Sequence, residues 1–326
     1  MNYRKFGNTS KEVSEIGLGT WQLGTKWGDE FNEEEGMKIL DAAYKSGINF
    51  IDTADVYNDG NSEITIGKYI KKHPDHFFIT TKCGRKLNPH TAEMYTPESI
   101  EKFIDDSIKR MGVEKLDLVL LHCPPTPVYH KKEIFDKLEE LKEKGKISSY
   151  GVSIEKVEEG IEAMNYGISA IEVIFNMFRL KPLEELLPKA KEKNIGIIVR
   201  VPLASGLLTG KFTKDTKFGE NDHRTFNRDG KAFDKGETFS GVDYDIGLKA
   251  VEELKKVFKT DNLAPIALKW ILMHDEVSVV IPGASREEQV YSNIKALDIP
   301  DLTPEQLDKV EEIYNKYIKD SIHKEW

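Results

Sequence analysis

The chain has 326 residues, 39% of them hydrophobic and 32% charged, and a formal net charge of −9 at pH 7. An apolar share of that size supports a large core and excludes global disorder. The acidic balance excludes a non-specific nucleic-acid binder, which needs a basic face against phosphate, but it leaves room for a local pocket that holds a phosphorylated cofactor.

The first segment, Asn2–Val13, is expected to form a hairpin that closes one end of the fold. From there short apolar runs alternate with longer helical patterns. Strands are predicted at Ile16–Gly19, Asn49–Asp52, Phe77–Lys82, Leu116–Leu121, Ile147–Val152, Ala170–Ile174, Gly196–Val201 and Val277–Ile281. Helices are predicted at Glu33–Ser46, Asn61–Lys71, Pro97–Arg110, Lys131–Lys144, Glu155–Met164, Pro182–Lys193, Asp243–Phe258 and Glu287–Leu297. Asn262–Met273 and Thr303–Tyr317 read as helices outside this repeat. Thr96-Pro97-Glu98-Ser99 has the order of an N-cap followed by a first-turn proline, and Gly47 and Gly145 stand where left-handed C-terminal residues belong. The runs LDLVLL and GIIVRV are continuous rather than alternating, as parallel strands covered on both faces require.

Eight strand–helix repeats predict an α/β fold, a (β/α)8 TIM barrel over 1–326 as a single domain. The rival is an open doubly wound sheet, signed by Gly-x-Gly-x-x-Gly. Gly17 and Gly19 are present, but Gln22 stands at the third position. Ser205-Gly206-Leu207-Leu208-Thr209-Gly210-Lys211-Phe212 fails as a nucleoside-triphosphate loop for a similar reason. It lacks the first Gly, and Phe212 replaces the Ser or Thr that would hold Mg²⁺. After the seventh strand comes a long polar loop, Lys214–Gly241, carrying Phe218, Phe226, Phe233 and Phe239 beside His223, Arg224 and Arg228. A lid docked through its aromatics is the favoured reading, and a bare surface excursion is the alternative.

In such a barrel the chemistry collects at the C-terminal ends of the strands. INFID ends in Asp52, with Tyr57 in the loop beyond; FFITTK ends in Lys82; LDLVLLH ends in His122. A carboxylate, a phenol, an ammonium and an imidazole thus reach one rim. The set suits protonation of a carbonyl oxygen as hydride arrives at carbon. An ammonium beside a phenol is expected to lower its pKa from about 10. Singly, each residue is as well explained by capping or packing; the order on consecutive strand ends favours the catalytic reading.

These residues resemble those of the aldo-keto reductase superfamily over nearly the full length. The likeness rests on Gly19-Thr20-Trp21, Asp52-Thr53-Ala54-Asp55-Val56-Tyr57, Lys82 and Leu121-His122, and continues through Gly151-Val152-Ser153, Pro202–Lys211 and Ile281-Pro282-Gly283-Ala284. It implies hydride transfer from a nicotinamide cofactor, usually NADPH, with NADH also possible. It makes Tyr57 the general acid and Asp52, Lys82 and His122 its partners. Cofactor contacts are implied for Gly19, Thr20, Trp21, Ser153, Glu172, Asn176, Arg200, Pro202, Leu203, Ser205, Gly206, Leu208, Lys211 and Gly283. At the last strand end, Ser285 and Arg286 are placed near a 2′-phosphate, and Gln289 and Asn293 near adenine. Arg286, Gln289 and Asn293 share one face of a helix whose N-terminus favours an anion, and a guanidinium matches a phosphate well.

Three positions depart from the family's common pattern. Ile154 stands where many members have Asn, Glu172 where many have Gln, and Arg200 where many have an aromatic ring. The expectation is that Arg200 stacks on the nicotinamide and Glu172 neutralises it, with Ser153 and Asn176 as remaining carboxamide ligands. Trp21, Trp27 and Cys123 are candidate substrate-pocket walls, for a small carbonyl or alcohol.

Two other functions compete. One is a low-turnover NADPH-binding redox sensor of the kind that potassium-channel β-subunits resemble. The other is a metal-dependent barrel hydrolase using Asp52 and His122, disfavoured because no strand end offers clustered ligands, so no metal is expected. Cys83 and Cys123 supply neither a disulfide framework nor Cys-x-x-Cys pairs. No stretch approaches the roughly 20 apolar residues of a membrane span, and MNYRKFGNTS has no signal-like apolar core. Asn8-Thr9-Ser10 therefore reads as a chance sequon, no membrane partner is expected, and the expected setting is cytoplasmic.

Overall fold

The computed structural model describes residues 1–25 and 29–326. An N-terminal antiparallel hairpin joins β1 (Tyr3–Lys5) to β2 (Glu12–Ser14). Eight parallel strands follow: β3 (Leu18–Gly19), β4 (Phe50–Asp52), β5 (Phe78–Cys83), β6 (Leu116–His122), β7 (Ile147–Ser153), β8 (Ala170–Ile174), β9 (Gly196–Arg200) and β10 (Val277–Val280). They pair in sequence order. Bridges Ile16–Val280 and Gly19–Gly283 join the first strand to the last, so the sheet closes on itself. The predicted strands all appear, each within a residue or two of its expected bounds.

Helices pack around this wall: α1 (Glu33–Lys45), α2 (Asn61–Ile70), α3 (Pro97–Met111), α4 (Lys132–Glu143), α5 (Val157–Ala163) and α6 (Leu186–Glu192), then the one-turn α7 (His223–Phe226), and α8 (Tyr244–Phe258), α9 (Ala264–Leu272), α10 (Glu287–Ile294) and α11 (Pro304–Tyr317). The Thr96 side chain accepts from the Ser99 N–H and Ser99 returns the bond, so the expected cap forms. The helix predicted from Pro182 is shorter than its pattern: residues 181–183 make a 3-10 turn, and α6 proper starts at Leu186.

The core has two parts because strand side chains alternate between faces. One set faces the helices. The other fills the barrel: Phe6, Val13, Phe50, Phe78, Leu118, Leu120, Ala170, Ile198, Val279 and Ile281. Phe6 comes from the hairpin turn and lies 5.5 Å from Phe50 and 5.4 Å from Phe78, ring to ring. The hairpin therefore plugs the floor of the barrel, and the polar chemistry is confined to the other end.

Candidate active site

Strand parity builds the site. Two residues beyond an apolar residue that fills the barrel, the next inward position on the same strand is polar. Phe50 is followed by Asp52, Leu120 by His122, Ala170 by Glu172 and Ile198 by Arg200; on β5, Phe78 and Thr80 lead to Lys82. All five reach the same rim. Tyr57 arrives from the loop after β4, in a 3-10 turn over Tyr57–Gly60.

The four expected catalytic residues meet. Lys82 Nζ donates to both oxygens of Asp52, at 2.6 and 2.7 Å, and to the Thr53 carbonyl at 3.1 Å. The Tyr57 hydroxyl lies 3.4 Å from the same nitrogen. The His122 ring stands edge-on to the Tyr57 ring at 6.0 Å. Above them opens a cavity of about 670 Å³, lined among others by Trp21, Tyr57, Arg85, His122, Arg200, Ser205, Lys211, Phe233, Arg286 and Gln289.

The electrostatics correct one expectation. The phenol is not made more acidic. Burial pushes Tyr57 above the usual tyrosine range, the Lys82 charge pulls it down, and the carboxylates of Asp52, Glu172 and Glu237 push it up again, so the net direction is upward. A phenol so placed keeps its proton at neutral pH. The His122 imidazole is held well below its usual range, by burial first and then by Arg85. Arg85 Nη1 lies 3.3 Å from His122 Nε2. A guanidinium can only donate, so Nε2 accepts and the ring is neutral.

Arg200 sits in a buried network that the sequence did not disclose. Its Nη2 is 2.9 Å from Glu155 and 3.2 Å from the Ile154 carbonyl. Glu237 lies 3.8 Å from its Nη1, and Glu172, the expected partner, 3.9 Å from its Nε. Glu237 also accepts from Arg85 at 2.9 Å. Glu155 is therefore the carboxyl nearest to Arg200. Cys123, Glu155 and Glu237 bring ligand-type atoms within 4.8 Å of one another, but the Arg200 guanidinium lies against all three, so this concave spot already holds a cation.

Several candidate cofactor residues line the cavity: Gly19, Thr20, Trp21, Glu172, Arg200, Pro202, Leu203, Ser205, Gly206, Lys211, Gly283, Arg286 and Gln289. Others do not line it. Asn176 spends its amide on the Val201 carbonyl, Ser240 and the Phe178 N–H. Leu208 is core. Ser153 is buried and lies 3.3 Å from Glu172 and 3.4 Å from Cys123. Ser285 binds Gln289, and Asn293 donates to the Gly283 carbonyl. Cys123 lies against Arg200 and Ser153 rather than on the cavity wall. Trp27 lies outside the described residues. Arg85, Glu155 and Glu237 were missed. Arg85 follows Lys82 by three positions and Glu155 follows Ile154 directly, so both were within reach of the same strand-end reasoning; Glu237 comes from the loop.

That loop is docked. His223 and Phe233 lie 5.3 and 5.9 Å from Trp21, and Arg224 stacks 4.5 Å from Phe218. Burial lowers the His223 imidazole to about 4. A base whose pKa falls on folding stabilises the fold above its unfolded value of about 6.5 and loses that contribution as pH falls through its folded value. The expected result is acid release of this segment between about pH 6.5 and 4, seen as a change in tryptophan fluorescence. An identical transition in His223→Gln would show that another group controls it.

The profile of the Aldo/keto reductase family matches residues 15–315. The chain belongs to that family. It is 30% identical over 311 residues to an NADH-specific methylglyoxal reductase of Escherichia coli, covering 90% of this chain and 92% of the relative. It is 31% identical over 333 residues to a "Putative voltage-gated potassium channel subunit beta" of Schizosaccharomyces pombe, covering 96% and 93%. A solved glycerol dehydrogenase from Gluconobacter oxydans superposes with a TM-score of 0.79 at 27% identity, covering 97% and 96%. As an aldo-keto reductase, the protein is an NAD(P)H-dependent oxidoreductase acting on carbonyl and alcohol carbons. Among the described residues no helix is long and apolar enough to cross a membrane.

The cavity suits a phosphorylated dinucleotide on its own chemistry. In a protein of net charge −9, its outer part gathers Lys211, Arg224 and Arg286. Ser205 and Gly206 hold positive φ angles of 54° and 100°, a turn in which glycine costs least, and the Phe212 ring packs closely on Gly206.

Proposed function

We propose that the protein reduces a small carbonyl compound with a nicotinamide cofactor, with Tyr57 as the proton donor. The supporting observation is the Tyr57–Lys82–Asp52 chain on the wall of the large cavity. The bound cofactor supplies hydride; the protein's residues supply the proton and the geometry. Tyr57 presents a protonated hydroxyl at the cavity wall. Lys82, fixed by both Asp52 oxygens, holds that hydroxyl in place and stabilises the phenolate left once the proton has moved. Neutral His122, fixed by Arg85, shapes the other side of the oxygen pocket. Trp21 and Phe233 narrow the mouth and exclude water.

In this reading Arg200 lies against the nicotinamide, with Glu155, Glu237 and Glu172 around its guanidinium. Ser205, Gly206 and Lys211 cradle the pyrophosphate. Arg286 is exposed and its nearest carboxylate, on Glu288, is 3.7 Å away, so it is free to turn toward a 2′-phosphate. This supports a preference for NADPH. Arg286→Ala is expected to weaken NADPH binding by about tenfold and leave NADH nearly unchanged, measured by cofactor fluorescence titration. Equal losses for both would remove Arg286 from that role.

A panel of aldehydes and ketones, followed by NAD(P)H oxidation, tests the reading. Tyr57-dependent turnover supports it. Tight cofactor binding with negligible turnover on every substrate would favour the second reading, a redox-sensing module, which the likeness to a channel β-subunit keeps in view.

A further inference from the structure

The ammonium at the centre of the site has more anionic partners than one cation can neutralise. Lys82 is fully buried and lies against two carboxyl groups. Asp52 takes it at 2.6 and 2.7 Å. Glu172 Oε2 also approaches it, to 3.4 Å. Glu172 is itself 1% exposed. Its other oxygen lies 3.3 Å from the Ser153 hydroxyl and 3.9 Å from Arg200 Nε. Arg200 offers little relief, because Glu155 holds it more closely at 2.9 Å and Glu237 shares it.

We propose that Glu172 is a positioning residue for the proton donor: by taking part of the Lys82 charge away from Tyr57, it holds the hydroxyl in its protonated form and biases the site toward carbonyl reduction. The inference rests on the reading of Tyr57 as proton donor. It does not rest on any contact between Glu172 and the cofactor.

The physical argument is charge counting in a dry place. A phenolate at Tyr57 would face Lys82 at 3.4 Å as its stabilising cation. It would also face Asp52, Glu172 and Glu237, each of which opposes a second negative charge. His122 is neutral, and Arg85 reaches the ring through His122 while paired with Glu237. Trp21 stacks on the phenol and carries no charge. With Asp52 alone, Lys82 would be balanced and a phenolate would add one net charge. With Glu172 as well, the ammonium is shared between two carboxyl groups, and less of its charge is left for a phenolate. The strain shows on the other carboxylate too: burial first and Glu172 second push Asp52 well above the usual carboxylate range. Interactions of this kind stay strong because the groups are buried and salt cannot screen them.

Glu172→Gln keeps the shape and removes the charge; Glu172→Asp keeps the charge and shortens the arm. The first measurement is NMR of ring-labelled tyrosine in the cofactor-free protein, with the Tyr57 signal assigned by its loss in Tyr57→Phe. The Tyr57 titration is expected to move down by about one pH unit or more in Glu172→Gln and to stay close to wild type in Glu172→Asp. The second is the pH dependence of turnover in both directions. The rising limb of alcohol oxidation with pH should move to lower pH in Glu172→Gln. At a fixed alkaline pH oxidation then rises by up to about tenfold while carbonyl reduction falls, since one needs the deprotonated phenol and the other the protonated one. A merely structural defect lowers both rates together. An unmoved Tyr57 titration, or parallel losses with unshifted limbs, overturns this inference and leaves Tyr57 as donor. Turnover that survives Tyr57→Phe overturns the donor reading, and this inference with it.

Discussion

Tyr57→Phe is expected to cut carbonyl reduction by roughly 10²–10⁴-fold, the usual worth of a positioned proton donor, while cofactor affinity changes by less than twofold. The substitution removes one oxygen. The ring still stacks against Trp21 at 6.3 Å and still closes the cavity wall, so the loss should fall on kcat rather than on binding. Fluorescence titration with NADPH and single-turnover reduction of one aldehyde measure the two quantities separately. Lys82→Met is a harder test of the same chemistry. It strands Asp52 and Glu172 as buried charges with no cation between them, so a fall in stability should accompany the loss of rate. Tyr57→Phe escapes that complication, which makes it the cleaner experiment. Rapid turnover in the Phe variant would remove the phenol from the reaction.

Arg200→Leu is expected to cost more stability than any other single change at the cavity rim outside Lys82. The guanidinium separates Glu155 from Glu237 and touches the edge of Glu172. Its removal leaves carboxylates facing one another in a buried space, which typically costs about 3–5 kcal/mol, or a fall in Tm of about 5 °C for a chain of this size. Even with Arg200 present, burial raises Glu155 to about 8. A carboxyl raised on folding contributes stability below its unfolded value of about 4.3 and loses it as pH rises through the folded value. Without the arginine that rise is larger. The deficit of Arg200→Leu should therefore be small near pH 5 and grow toward pH 8 and above, as thermal melts across that range will show. The same variant should narrow the preference for the reduced over the oxidised cofactor, because a fixed cation opposes a cationic nicotinamide ring. A pH-independent deficit, or an unchanged ratio of affinities, would mean that the network around Arg200 is balanced some other way.

Much of the site was legible in the chain because a barrel is a repeating object. Once INFID, FFITTK and LDLVLLH read as parallel strands, their last inward residues had to meet at one rim, and Asp52, Lys82 and His122 do. The Gly-Val-Ser and Pro202–Lys211 segments were recognisable only through the likeness to the family; Gly151-Val152-Ser153 forms the end of β7, and residues 204–209 make the 3-10 turn after β9. Asn176 was misleading for the opposite reason. An amide four residues past an inward position looks available in a sequence, and only the fold shows it consumed by Val201, Phe178 and Ser240. Lys214–Gly241 gave the weakest signal. Its aromatics indicated that it docks but could not say onto what, so Glu237, which meets both Arg85 and Arg200, stayed hidden.

The amino-acid sequence by itself determined the barrel, its floor and the polar groups proposed for proton transfer, because those follow from local periodicity and from which residues end each strand or follow it. The ionisation state of that group was decided only by the tertiary structure. A lysine near a tyrosine in sequence order implies an acidified phenol. In the folded molecule the burial of Tyr57, and the carboxylates brought around it from β4, β8 and the long loop, reverse the direction. Charge interactions depend on distance in space and on the water that folding excludes, and neither is written along the chain.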